Sequence, residues 1–247
     1  VPLPTDPSVL PPTERETLSE LARQLAAASL PDLSDVETAV ITAHLRLLDA
    51  WSPAINLTRV SDPIERATRH VLDSLVAAPH IERLLPGGRG KIADLGSGGG
   101  FPGVPLAARL LLRHAELSMT LIESIGKKAR FLDAVTAASG LAPRLRVAHA
   151  RAEDLSQGGG VRFDLITARA IAPLSELIRL AAPLLTPKGS LLAWKRAGEG
   201  WDAELGTASS FIGPSAITVI PVNVVALDGA LLVRVTPHES ERVRAQV

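Results

Sequence analysis

The chain has 247 residues, 46% hydrophobic and 21% charged, with Lys plus Arg at 26, Asp plus Glu at 26, and no cysteine. These values suit one large α/β domain, or a core with a small appendage. They exclude extensive disorder, disulfides, thiolate metal sites, a cysteine nucleophile and a basic field spread over the whole molecule. Aromatic residues make up 3% and Tyr is absent, so the core must be built from Leu, Val, Ile and Ala, and an aromatic RNA-stacking platform is not expected.

Residues 1–12 are Pro-rich and predict an extended, poorly ordered arm. Thr13 and Glu16 then form a capping-box pattern that predicts a helix to about Ala28. Ser34 and Glu37 repeat it, and Val36, Val40, Ala43 and Leu47 follow on one helical face. Asp62-Pro63-Ile64-Glu65 is a third helix start, for a helix that carries Arg66, Arg69 and His70 and ends near Leu75. Residues 13–85 therefore read as a helical region.

From Lys91 the pattern changes to strands alternating with helices at βαβ spacing. KIADL, MTLIES, LRVAHA, FDLITA and GSLLAWK predict strands, separated by helices at VPLAARLLL, Ile125–Ala138 and Leu174–Ala182. After a helix near Trp201–Ser209, ITVIPVNVVAL and ALLVRV flank Asp228-Gly229, a two-residue hairpin signal. The expected fold is an α/β Rossmann-like sheet over residues 86–237, mostly parallel with a C-terminal antiparallel hairpin. The Gln157–Gly160 stretch reads as a loop and residues 238–247 as a polar tail.

No apolar run approaches the roughly 18–20 residues that span a bilayer, and no signal-peptide pattern opens the chain, so a cytoplasmic protein without membrane contact is expected. The six His residues show no metal-ligand spacing, so no metal is expected.

Asp94-Leu95-Gly96-Ser97-Gly98-Gly99-Gly100-Phe101-Pro102-Gly103 follows the first strand and opens a helix. Missing Cβ atoms let a ligand lie against the backbone, and a helix N-terminus offers free N–H groups. An NTP loop would need Lys then Ser or Thr after glycine; Gly126-Lys127 is followed by Lys128. A dinucleotide reading survives on Gly98, Gly100 and Gly103, with Glu123 about 20 residues on. Against it, Asp94 at the strand end would repel a pyrophosphate and suit a cationic ligand with an amino group. S-adenosylmethionine is such a ligand, and Glu123 would accept both ribose hydroxyls.

With Asn56-Leu57-Thr58, Arg69-His70…Asp73-Ser74, the glycine loop through Phe101-Pro102-Gly103, Lys127-Lys128-Ala129-Arg130-Phe131-Leu132, Arg151-Ala152-Glu153 and Ala168-Arg169-Ala170, the chain resembles the RsmG (GidB) family over residues 35–235. These are bacterial enzymes that methylate guanine N7 in 16S rRNA. The resemblance implies S-adenosylmethionine contacts at Gly96, Phe101, Ala152, Glu153 and Arg169, to which the reading of the glycine loop and the second strand adds Asp94, Gly98 and Glu123 as cofactor-binding residues. It implies 16S rRNA of the small ribosomal subunit or its precursor as partner. The family usually has Lys-Gly after the fifth strand, whereas Lys195 is followed by Arg196.

Lys127, Lys128 and Arg130 are candidate phosphate contacts, with Arg59, Arg66, Arg69 and His70 as a second basic strip; the alternative is a solvated helix face and a structural histidine. Asn56 could cap a turn, and Trp51 and Trp194 are expected in the core. No general base is expected for guanine N7, so no catalytic residue is assigned beyond an orienting part for Arg169. The fourth strand lacks the Asn/Asp-Pro-Pro-aromatic run used for exocyclic amines. A methyltransferase for a small molecule or protein, an NAD-dependent oxidoreductase and an RNA-binding module with a dead pocket are the rivals. No apolar helix face is left over, so a monomer is expected.

Overall fold

The computed structural model describes residues 3–157 and 160–237; the polar tail from residue 238 lies outside them. The N-terminal region is helical: α1 (Arg15–Ala27), α2 (Asp35–Ile55), α3 (Pro63–Arg66), a π-helical segment (Ala67–Leu72), α4 (Asp73–Leu75) and α5 (Ala78–Leu84). Ser34 and Glu37 form the expected reciprocal cap on α2. Asp62 caps α3 by accepting from Glu65 N at 2.8 Å. At α1 the expected Thr13 box is absent. Glu14 is the N-cap residue and makes no side-chain cap bond. Its carboxylate is drawn instead to the Arg46 guanidinium on α2, at 2.8 Å, because a buried acid needs a charged partner.

Residues 3–12 do not hang free as the Pro-rich composition suggested. Side chains of α2 donate to carbonyls of this segment: Trp51 Nε1 to Pro4 O at 2.6 Å and Arg46 to Pro7 O at 3.4 Å. On α2, Val40, Ala43 and Leu47 are buried as expected, whereas Val36, in the first turn, is exposed.

The sheet comprises β1 (Arg89–Leu95), β2 (Glu116–Glu123), β3 (Leu145–His149), β4 (Phe163–Arg169), β5 (Leu185–Arg196), β6 (Ile217–Pro221) and β7 (Ala230–Val235), in the order β3-β2-β1-β4-β5-β7-β6. β1 to β5 pair in parallel; β7 is antiparallel to both β5 and β6. The connection between β6 and β7 is longer than the two-residue turn expected. Asp228 has φ −47° and Gly229 φ +73°. A type I′ turn needs positive φ at both, so the pair turns differently and residues 222–227 join the loop.

Side chains alternate across the sheet. Ile92, Leu121, Leu165 and Leu192 pack with the N-terminal helices, α6 (Gly103–Arg113) and α7 (Gly126–Ser139). Ala93, Ile122, Ile166 and Leu191 pack on the other face with α9 (Leu174–Ala181) and α10 (Trp201–Ile212). Leu45, Leu47 and Leu48 on α2 are fully buried, each stabilising by roughly 2 kcal/mol. The covering helices change face between β1 and β4, where a crevice opens beyond the strand carboxyl ends. α8 (Ala152–Gln157), which the polar sequence after β3 did not announce, stands at that edge. No helix among the described residues is long and apolar enough to cross a membrane.

Candidate functional site

The glycine loop is strapped to β2. Gly96 N and Ser97 N both donate to Ile122 O, at 2.9 and 3.0 Å. Gly98 N donates to Glu123 Oε2 at 2.9 Å and Ile125 N to Oε1 at 2.8 Å. Gly96 and Gly98 have φ of +68° and +53°, a region that costs an L side chain energy. Glu123 is buried and spends one lone pair of Oε2 on the loop and one of Oε1 on the start of α7; each oxygen keeps a second, so the expected hydroxyl contact is compatible with this framing role.

Asp94 is placed differently from the expectation of a carboxylate facing the ligand. It is fully buried. Its Oδ1 accepts from Thr167 Oγ1 at 2.8 Å and its Oδ2 from Gly103 N at 3.2 Å. Burial pushes its carboxyl up to about 6, against the opposing hydrogen bonds from Thr167 and Ser97. The residue ties β1, β4 and the start of α6 together. Only the strand register, which sets Asp94 beside Thr167, reveals this.

A cleft opens at the carboxyl ends of β1, β2 and β3. Gly96, Ile122, Ser124, Ala152, Glu153 and Ile171 are among the residues lining it. Three of the expected cofactor residues, Gly96, Ala152 and Glu153, thus meet in one place. Ile171, Glu176 and Leu180 also line it and were missed, because nothing local marks them.

Phe101 and Arg169 do not line this cleft. Phe101 is 8% exposed. Its ring lies between His44, with centroids 4.6 Å apart, and His70, stacked at 4.4 Å. The Arg169 guanidinium sits 5.6 Å from the Phe101 centroid and donates to Arg69 O and Asp73 Oδ2, each at 2.8 Å. Burial raises the Asp73 carboxyl while Arg169 opposes it. Both expected contacts therefore turn toward the helical layer, where a buried ring and a guanidinium find partners that the open cleft lacks.

His70 was a candidate RNA contact. It is half-buried, hydrogen-bonded through Nε2 to Thr58 Oγ1 at 2.7 Å, and held neutral, its pKa lowered to about 3 by burial and by Arg169. It is no cation for a phosphate. Arg66 likewise leaves the basic strip: it is buried and paired with Asp49 at 2.8 Å. Arg59 and Arg69 stay exposed, Arg69 facing Glu65 at 3.8 Å. On α7, Lys127 and Arg130 are exposed and Lys128 partly so. His44 was not singled out by the sequence. It is fully buried, its Nε2 2.7 Å from Gly99 O, and burial lowers its pKa to about 4. Asn56 caps α2 in the left-handed region. Trp51 and Trp194 are buried as expected, Trp194 donating to Asp73 O at 2.7 Å. Arg196, the departure from the family pattern, donates to Asp228 O at the β6–β7 turn.

Comparison with known proteins agrees with this geometry. The family described as GidB, rRNA small subunit methyltransferase G, matches residues 37–212. The ribosomal RNA small subunit methyltransferase G of Sorangium cellulosum is 36% identical over 98% of this chain and 95% of its own length. That of Stenotrophomonas maltophilia K279a is 44% identical over 62% of this chain and 66% of its own. Among solved structures, cofactor-bound Rv0187 from MTB superposes with a TM-score of 0.54 at 18% identity, covering 80% of this chain and 89% of that one. A fit of that kind speaks for the fold. With the sequence matches spanning both the helical region and the sheet, the chain belongs to the GidB family, rRNA small subunit methyltransferase G.

Proposed function

We propose that this chain is an S-adenosylmethionine-dependent enzyme that methylates N7 of a guanine in 16S rRNA, within the small ribosomal subunit or its precursor. The observation that carries the reading is the cleft that gathers Gly96, Ala152 and Glu153 at the carboxyl ends of the parallel strands, inside a chain of this family. The residues fit the cofactor: a left-handed glycine without Cβ lines one wall, and a buried carboxylate that holds the loop, Glu123, keeps lone pairs for hydroxyls. The cofactor supplies a sulfonium-activated methyl group. Gly96, Ala152 and Glu153 would hold it, and Asp94, Gly98 and Glu123 keep the loop in shape. Phe101 and Arg169 support the same loop and the end of β4 from the helical side.

Guanine N7 carries a lone pair at neutral pH and needs no deprotonation. The chain's work is therefore to approximate and align the reactants and to exclude water, rather than to move a proton. Lys127, Lys128, Arg130, Arg59 and Arg69 are the proposed phosphate contacts. A cytoplasmic location and a monomeric state belong to the same proposal. The test is incubation with radiolabelled S-adenosylmethionine and isolated small subunits. Label on 16S rRNA, with a strand break after borohydride and aniline treatment at one guanine, is the expected result. Absence of label from 16S rRNA, or label at a base insensitive to that treatment, overturns it.

A further inference from the structure

The segment that follows β4 crosses the mouth of the cleft and is held at its ends rather than in its middle. At one end Arg169 is tied to Asp73. At the other, Lys195 Nζ donates to Ala172 O at 2.9 Å, and Leu174 N donates to Glu204 Oε1 at 2.7 Å. Lys195 and Glu204 also pair with each other at 2.7 Å, their side chains 12% and 28% exposed. Lys195 comes from β5 and Glu204 from α10, so one ion pair joins both elements to the segment. Between the tied ends stand Ala170, with φ +56°, and Ile171, 39% exposed. A left-handed alanine is strained, and it persists where its surroundings over-determine it.

The tethered segment delivers Ile171 to one place. A Cβ built on Gly96 would lie 2.7 Å from Ile171 Cδ1 and 3.0 Å from Cγ1. The side chain is therefore laid directly against the bare Cα of Gly96, beside Ile122 and Leu180 on the cleft wall. A partly exposed branched aliphatic chain next to a glycine loop is the chemistry that packs an uncharged aromatic purine or a thioether.

We infer that Ile171 is a cofactor-contacting wall of the cleft, and that the Lys195–Glu204 pair is its positioning device. The ion pair sits outside the cleft and acts through the backbone at Ala172 and Leu174. This rests on the S-adenosylmethionine reading and adds to it the residues that set the cleft's width. Partial burial of both charges makes the pair sensitive to losing one partner. Replacing Lys195 frees the carbonyl of Ala172 and leaves Glu204 to a single backbone N–H.

The test is calorimetric binding of S-adenosylhomocysteine to the full chain, with thermal unfolding run in parallel. Wild type must bind; if it does not, the S-adenosylmethionine reading fails rather than this one. Ile171→Ala and Lys195→Met should each weaken binding about fivefold to thirtyfold, the span of roughly one lost packing or charge-assisted contact. The double variant should be no weaker than about the poorer single, since both act through one side chain. Lys195→Arg, which keeps the charge and can still reach Glu204, should recover most of the affinity. If Lys195→Met unfolds, Glu204→Gln replaces it in the same cycle. Binding within twofold of wild type for Ile171→Ala overturns the wall. Additive losses in the double variant, or no loss in the Lys195 and Glu204 variants, overturn the positioning device.

Discussion

A buried histidine registers pH through the difference between its folded and unfolded proton affinities. His44 is depressed from 6.5 to about 4 by burial. Its neutral form is therefore favoured in the fold, so its contribution is complete above pH 6.5 and is lost as pH falls toward 4. Asp94 has the opposite sign. Its folded value, about 6 against 3.8, favours the protonated form, so its contribution is complete below 3.8 and fades as pH rises through 6. His44→Gln keeps a donor for Gly99 O and removes the titration. Between pH 7 and pH 5 this variant should lose about 2 kcal/mol less stability than wild type, as read by urea unfolding at the two values. Asp94 is common to both proteins and cancels; equal losses would show that His44 is not held neutral. Gly96 permits a second prediction at the same scale. Because it is left-handed and lies under Ile171, Gly96→Ala should cost about 1 kcal/mol of stability from backbone strain alone, and it should also weaken S-adenosylmethionine binding. A variant with wild-type affinity would remove Gly96 from the cofactor wall. Glu123→Gln replaces one acceptor facing a backbone N–H with an amide donor, so affinity should fall by roughly 1–3 kcal/mol, measured by calorimetry.

At the scale of elements, the helical region and the sheet are coupled at one seam. The π-helical segment from Ala67 to Leu72 presents the Arg69 carbonyl to Arg169 of β4, and Asp73 in the next turn accepts from the same guanidinium. Trp194 of β5 donates to the Asp73 carbonyl. Such wide turns interrupt α-helices at sites where a backbone group is needed elsewhere. Arg169→Ala leaves the partly buried Asp73 carboxylate unpaired, which costs several kcal/mol where a buried ion pair is broken from one side. The expected outcome is faster amide exchange across residues 63–75 with β1 and β2 still protected, measured by native-state hydrogen exchange. Uniform loosening of the whole chain would mean that the seam is not a separate cooperative unit.

At the scale of the whole molecule, balanced charge makes any RNA surface local. Lys plus Arg and Asp plus Glu both number 26, so no diffuse field substitutes for a lost patch. The patch that fits phosphate best is Lys127, Lys128 and Arg130 at the start of α7; no ion pair engages them among the described residues. Replacing all three with alanine should raise KM for small subunits. It should lower the slope of log affinity against log salt by roughly 2–3, at about 0.7–0.9 per phosphate contact. S-adenosylmethionine affinity should stay near wild type, because these side chains start the helix beyond Glu123. An unchanged salt slope moves the RNA surface to Arg59 and Arg69.

Local chemistry made the element order readable. Hydrophobic periodicity, the Ser34 and Asp62 caps and the clustered glycines act over a few residues, so they can be read without a partner. The position of the glycine loop, the face of α2 and the buried tryptophans follow from that, as does the gathering of Gly96, Ala152 and Glu153 at the strand ends once the strands are parallel. Which way a polar side chain turns at the end of a strand is decided by what the far chain offers it. Asp94 finds Thr167 through strand register, Glu14 finds Arg46 rather than a capping role, and Arg169 and His70 turn inward to Asp73, Phe101 and Thr58. Lys195 looks in sequence like one more strand-end charge until α10 brings Glu204 to it. These contacts join residues of different elements and loops, and burial makes pairing mandatory for a charge. That requirement exists only after the layers have packed, so only the tertiary structure decides it.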